Sequence, residues 1–241
     1  VKIMEEGIKE KLFTKNFTLL VLGQVSSLFG NYILRLALSM YVLELTGSAA
    51  VFAGLLSAAT IPTILLSPFG GILADRADRR NIMVALDAMT GTAVLCAALL
   101  LSEQRALVVI GALLVLLSVL GAFETPTVQA CIPSMLTGDN IIRGNAVVNQ
   151  TASISYLTAP LLGGIFYSAF GIKPVMYASV LCFFVTAFLE CFIRLDYRPA
   201  GFGGNALAVA KADFLDSVRF IGKGGGISCG FCCWRHCPVS L

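Results

Sequence analysis

The chain has 241 residues, 57% of them hydrophobic and 13% charged, with a net charge of +3 at pH 7. A soluble domain carries about 25% charged residues, so the composition excludes a water-covered globule, and the mean hydropathy of +0.86 agrees. The small positive balance does not point to nucleic acid, because the basic residues are spaced out between long apolar blocks rather than gathered into a patch.

The N-terminus mixes Lys2, Glu5, Glu6, Lys9, Glu10, Lys11 and Lys15, and the apolar segment after it is too long for the core of a cleavable signal peptide. It is read as a first spanning helix. No charge falls between Phe17 and Leu34, Leu45 and Ala74, Ala106 and Phe123, or Gly144 and Ile172. Each block reaches the roughly 18–20 residues that cross about 30 Å of hydrocarbon as a helix. The pattern predicts an all-α membrane protein with six spans near 17–43, 50–74, 81–102, 106–127, 144–170 and 174–194. Turn chemistry separates them, from Thr46-Gly47-Ser48 to Gly171-Ile172-Lys173-Pro174.

With the N-terminus cytoplasmic, the inner segments hold ten basic residues: Lys2, Lys9, Lys11, Lys15, Arg76, Arg79, Arg80, Arg143, Arg194 and Arg198. The outer loops hold two, Arg105 and Lys173. The positive-inside rule then places both ends of the bundle in the cytoplasm and the chain in the plasma membrane as a multi-pass protein.

Helix 1 carries Gln24, Ser27, Asn31, Arg35 and Ser39 at helical spacing on one face. An Arg at the centre of a span costs about 2.5–3.5 kcal/mol, so such a stripe predicts a wet cavity and a substrate or ion path. The alternative is that Arg35 snorkels to the outer headgroups while its neighbours hold helices together. Helix 5 offers a second stripe in Asn145, Asn149, Ser153, Tyr156, Pro160 and Gly163. Glu124, before Thr125 and Pro126, is either a proton-titrating carboxyl or an interfacial residue beside a proline bend. Asp87 and Glu190, near helix ends, are expected to be interfacial or ion-paired.

Between helices 2 and 3 the chain reads Gly70-Gly71-Ile72-Leu73-Ala74-Asp75-Arg76-Ala77-Asp78-Arg79-Arg80. This resembles the signature loop of the major facilitator superfamily, Gly-x-x-x-Asp-Arg-x-Gly-Arg-Arg, matched at Gly71, Asp75, Arg76, Arg79 and Arg80, with Asp78 in place of the second Gly. Gly71 is expected to let helix 2 pack closely, and Asp75 to end that helix and accept hydrogen bonds from Arg79 or a helix N-terminus. The resemblance implies that this loop latches two halves of a transporter together in the outward-open state. Ala159-Pro160-Leu161-Leu162-Gly163-Gly164 is similar to part of the antiporter motif of drug exporters, matched at Pro160, Gly163 and Gly164. An Arg within helix 4, common in proton-coupled exporters, is absent from the sequence.

The run from Leu22-Gly23-Gln24 to Leu45-Thr46-Gly47-Ser48 resembles the branch of macrolide-efflux-type and siderophore exporters. The resemblance covers roughly residues 12–220 and corresponds to the N-terminal six-helix half of such a transporter. It implies export of an amphipathic small molecule by alternating access, driven by exchange of ions such as protons.

Three segments are expected: a six-helix bundle over 1–195, a central cytoplasmic loop with a short amphipathic helix over 196–222, and a Cys-rich tail over 223–241. The tail gathers Cys229, Cys232, Cys233, His236 and Cys237, which could chemically hold zinc. Without a scaffold behind them, these residues are read instead as an out-of-frame or disordered end, so no metal and no cofactor is expected. Lone apolar cysteines such as Cys96, Cys131, Cys182 and Cys191 are read as packing residues. One half alone is expected to lack transport, because its cavity has one wall. The partners expected are the bilayer, an amphipathic substrate and the missing C-terminal half or a second copy, with no nucleic acid. The alternatives are a half-size transporter working as a homodimer and a non-transporting regulatory membrane protein. The sequence offers no nucleophile–base pairing, phosphate loop or metal ligands within the spans, and an enzyme is not expected.

Overall fold

The computed structural model describes residues 12–76 and 78–194, with backbone alone at 68, 72 and 74–76. The expected loop and tail over 196–241 lie outside the described residues, as do the basic residues before Leu12. Within these limits the chain is helical: α1 Lys15–Thr46, α2 Ala49–Arg76, α3 Arg79–Leu100, α4 Ala106–Met135, α5 Asp139–Phe170 and α6 Ile172–Cys191, with a single 3₁₀ turn at Glu103–Arg105.

Local chemistry sets the ends. Thr14 caps α1 by accepting from the Phe17 amide, and Gly47 closes it with an N–H bond to the Leu43 carbonyl. Asp78 caps α3, its carboxylate accepting from the Arg80 amide at 3.2 Å. The predicted end of the fourth span is corrected: α4 runs through Pro126 and Pro133 to Met135, and α5 begins at Asp139. A proline removes one backbone donor and bends a helix, but packed neighbours hold the helix together on both sides of it.

Five of the helices are long and apolar enough to cross a membrane. Helix α5 falls short because Asn145, Asn149, Gln150 and several Ser and Thr interrupt its apolar residues. Its other face is a stripe of Ile154, Leu157, Leu161 and Ile165, each at least 60% exposed. That inside-out amphipathicity suits a helix with lipid on one side and a wet interior on the other.

Connections of a few residues make consecutive helices antiparallel. Helix α1 packs on α5 and α6, and α4 packs on α2 and α3, while α3 and α6 pack on each other. Exchanging α1 with α4, α2 with α5 and α3 with α6 maps this set of packed pairs onto itself. The bundle is therefore two three-helix units of one design, with α1 and α4 at corresponding places.

The interior is layered. One apolar cluster joins Leu34, Leu38 and Val42 of α1 to Val94, Ile110, Leu114, Met176 and Phe183. A second joins Phe17 and Leu20 to Met83, Cys131, Ile132 and Ile193. Between them, α1, α3, α4 and α6 each turn polar: Gln24 and Ser27, Asp87 and Thr90, Ser118 to Thr127, and Thr186 and Glu190. Four helices changing character at one level is a feature of the assembled bundle, and it positions the site.

Candidate functional site

The polar layer centres on Ser27. Its hydroxyl lies 3.0 Å from Asp87 Oδ1 and 3.3 Å from Glu124 Oε1, tying α1 to α3 and α4. Asp87 and Glu190 of α6 are both buried in this layer. Glu190 is wholly buried, and neither of its oxygens has a hydrogen-bond partner among the described residues. The Gln24 Nε2 is likewise buried and without a hydrogen-bond partner among the described residues.

These positions correct two expectations. Asp87 and Glu190 are not interfacial: they are 2% and 0% exposed. The helix around Glu124 is also longer than expected, since α4 continues past Pro126 to Met135. Depth is set by the neighbours. Glu190 is near the end of α6 but packs on Gly23, eight residues into α1 and about 12 Å from its start at 1.5 Å per residue. Arg194 closes the end beyond it, its amide and carbonyl exchanging hydrogen bonds with the Asn16 side chain.

Beside this layer opens a cavity of about 800 Å³ between α1, α2, α4 and α5. All five predicted stripe residues of α1 line it: Gln24, Ser27, Asn31, Arg35 and Ser39. Within it the Arg35 Nε donates to Asn31 Oδ1 at 2.7 Å. Glu124 lines the cavity too, half-buried at the edge of the polar layer. From α5 come Asn149, Tyr156 and Pro160, and the Tyr156 ring meets Tyr32 edge-on at 5.5 Å. Thr63 of α2 donates to the Ser118 carbonyl, closing the α2–α4 wall.

The predicted α5 stripe divides. Asn145 bonds back to the Ile141 carbonyl and Ser153 to that of Asn149, and neither lines this cavity. Gly163 instead sits at the crossing with α1, where an added Cβ would come within 3.2 Å of the Ile33 Cα. Gly164 beside it has only ordinary space, toward Leu36 at 3.7 Å.

In the α2–α3 loop the structure moves one expected role. An added Cβ on Gly71 would meet nothing within 4 Å. At Gly70 it would strike the Ala122 carbonyl and Pro126, so Gly70 makes the close packing of α2 on α4. One residue is a 100° turn of the helix, which is why adjacent glycines differ. The side chains of Asp75 and Arg76 lie outside the described residues. Arg79 donates to Ser134 Oγ, and Arg80 to the Cys191 carbonyl, so both hold the loop end of α3 against α4 and α6. Asp78 was missed as a cap, although an Asp directly before a helical run is the usual signal.

The four described cysteines are free, with Cys131 buried against Met83 and Cys96 and Cys191 exposed. Among the described residues no cluster of His, Cys, Asp and Glu has the arrangement of a metal site.

Comparison with known proteins places this arrangement. The sequence pattern of the Major Facilitator Superfamily matches residues 20–234. Macrolide efflux protein A of Streptococcus pyogenes is 27% identical over 176 residues, which is 72% of this chain and 43% of that protein. The staphyloferrin A transporter of Staphylococcus aureus is 27% identical over 165 residues, 66% of this chain and 41% of that protein. A crystal structure of a bacterial homologue of the iron transporter ferroportin, in an outward-facing state, superposes with a TM-score of 0.59 at 18% identity. It covers 78% of this chain and 52% of the other. The chain thus spans about half the length of the relatives it matches.

Proposed function

Because the chain belongs to the major facilitator superfamily, a family of transporters and not of enzymes, we propose that its bundle forms one wall of an export path for amphipathic small molecules. The observation that carries this reading is the cavity. About 800 Å³ is within the ~300–1,000 Å³ that holds a drug-sized ligand. It is lined by Leu28, Leu36, Phe52 and Leu56 together with amides, hydroxyls, Arg35 and Glu124. An apolar bed with a few fixed polar groups suits a molecule that is itself part apolar and part polar.

The multi-pass bundle sits in the plasma membrane with its ends cytoplasmic, as the basic residues of the inner segments favour. The second wall comes from another six-helix set, either within a longer chain or from a second copy, in keeping with relatives about twice as long as the matched part. Alternating access then rocks the two walls about the cavity, with ion antiport supplying the energy. The loop of Gly71, Asp75, Arg76, Arg79 and Arg80 gates the cytoplasmic side. On this reading one bundle alone binds substrate and completes no transport cycle.

Equilibrium binding of a labelled macrolide to the chain in lipid nanodiscs tests the reading. Asn149→Ala and Tyr156→Ala should each weaken binding roughly five- to tenfold, the worth of about 1–1.4 kcal/mol per lost contact. Ile165→Ala, exposed and outside the cavity lining, should leave it unchanged. Equal loss in all three variants, or no saturable binding by the unaltered chain, rules the cavity out as the substrate site.

A further inference from the structure

Among the described residues that line the cavity, Arg35 is the one basic side chain and Glu124 the one acidic side chain. They stand at different levels. Glu124 approaches the Ser27 hydroxyl at 3.3 Å, and Ser27 is eight residues before Arg35 on α1, about 12 Å along the axis at 1.5 Å per residue. No carboxylate among the described residues pairs with Arg35; its Nε donates to Asn31 Oδ1, one turn back. The two Nη nitrogens have no acceptor among those residues, and neither is sealed off from the cavity. A guanidinium carries five N–H donors, so one fixes its position here and four remain. Such a pair of Nη groups offers two parallel donors, which is the arrangement that a carboxylate fits. A cation placed in a span with its donors unmet is costly, and an anion offsets that cost. The surroundings suit the rest of such a molecule. Tyr32, three residues before Arg35 and on the same face of α1, meets the Tyr156 ring edge-on, and Leu28, Leu36 and Phe52 line the wall beside them. The Ser39 hydroxyl is turned to the Leu36 carbonyl and does not compete for the ligand.

We propose that Arg35 is the anion-binding residue of the cavity, and that the molecules it selects are amphipathic carboxylates. The carboxylate lies against the two Nη groups, while the apolar body of the molecule extends past Tyr32 and Tyr156 onto the leucines and Phe52. An ester or amide in the same place offers those donors a weaker acceptor, because hydrogen bonds between two charged groups are roughly twice as strong as neutral ones. An amine brings like charge to the guanidinium and is disfavoured. Glu124 does not serve as the internal counter-ion, being engaged with Ser27 two turns away along α1. The inference narrows the substrate class of the export reading above and rests on it.

Fluorescence titration of the chain in phosphatidylcholine nanodiscs tests this with dansylaminoundecanoic acid and its methyl ester, empty nanodiscs being subtracted. Mildly alkaline buffer keeps the acid ionised at the bilayer. The unaltered chain should bind the acid roughly tenfold or more tighter than the ester. Arg35→Gln should bring the two affinities together, and Arg35→Lys, which keeps the charge without the fork, should retain part of the preference. Equal affinities in the unaltered chain overturn the proposal without needing any variant. A preference that survives Arg35→Gln also overturns it, since the anion then lies elsewhere. Loss of the preference when phosphatidylglycerol replaces part of the lipid assigns the guanidinium to a lipid headgroup and overturns it as well. Saturable macrolide binding beside equal acid and ester affinities leaves the export cavity standing and removes the carboxylate preference alone. Saturable binding of none of these probes removes both.

Discussion

Arg35 and Glu190 are both ionisable residues inside spans, and the bundle treats them oppositely. Arg35 stands on the cavity wall with Asn31 as its partner and space in front of it. Glu190 is wholly enclosed, with the Gly23 backbone and Thr186 close by and, among the described residues, no hydrogen bond to either oxygen. The first arrangement leaves the guanidinium access to water and ligand, so its charge is cheap to keep. The second gives up several kcal/mol of solvation for a carboxylate and is tolerable when the group is neutral or shares a proton. One kind of charge thus stands on each side of α1, one in a cavity and one in the packed interior.

The contrast breaks most visibly if the compartments are not wet and dry. In a chain whose eight native cysteines are replaced by Ser, Asn31→Cys should react with a water-soluble maleimide from the aqueous side, and Thr90→Cys, 5% exposed, should not. Their rates should differ by roughly a hundredfold or more, as expected of a site reached only by local opening. Comparable rates would mean that water reaches the polar layer freely.

The next effect is on stability. Glu190→Leu fills the same compartment without a carboxyl and should stabilise the bundle by about 1–3 kcal/mol, because it removes a buried group with unmet hydrogen bonds. Arg35→Leu should change stability by less than about 1 kcal/mol, its charge being partly hydrated. Heating each variant in detergent and following loss of the monodisperse species compares them. A Glu190→Leu variant that melts below the unaltered chain would show that the carboxyl is structural.

Much of this was legible in the residues. Charge-free blocks located α1, α2, α4 and α5, and apolar runs between turn signals located α3 and α6, because helix length is dictated by bilayer thickness; the α1 stripe was readable because 3.6-residue periodicity reports a face directly. The loop pattern at Gly71 to Arg80 and the Pro160–Gly164 run carried the family resemblance. The ends of α4 and the burial of Asp87 and Glu190 were not legible. Both depend on what packs alongside: Pro126 is tolerated because α2 supports α4 there, and Glu190 is deep because α1 extends beyond it. A sequence shows how far a residue is from the end of its own helix, but not how far that end lies inside its neighbours. The same limit explains why the α5 stripe split, since a face read from spacing does not say which of its members point at a cavity and which at a crossing helix.

A pair of glycine variants tests that limit at two adjacent residues. Gly70→Ala drives a methyl into the Ala122 carbonyl and Pro126, and main-chain atoms of a packed helix cannot move aside cheaply. It should destabilise by about 1–3 kcal/mol, the usual cost of overpacking. Gly71→Ala adds its methyl to open space and removes a glycine from a helix interior, which should stabilise by up to about 1 kcal/mol. Thermal stability of the two variants measured side by side should therefore move in opposite directions. If Gly71→Ala also destabilises, the signature glycine has a packing partner in another conformation or in the second wall, and the loop rather than the α2–α4 contact is what requires it. If it stabilises while lowering flux in a complete transporter, the glycine is kept for movement of the loop, and the close packing belongs to Gly70 alone.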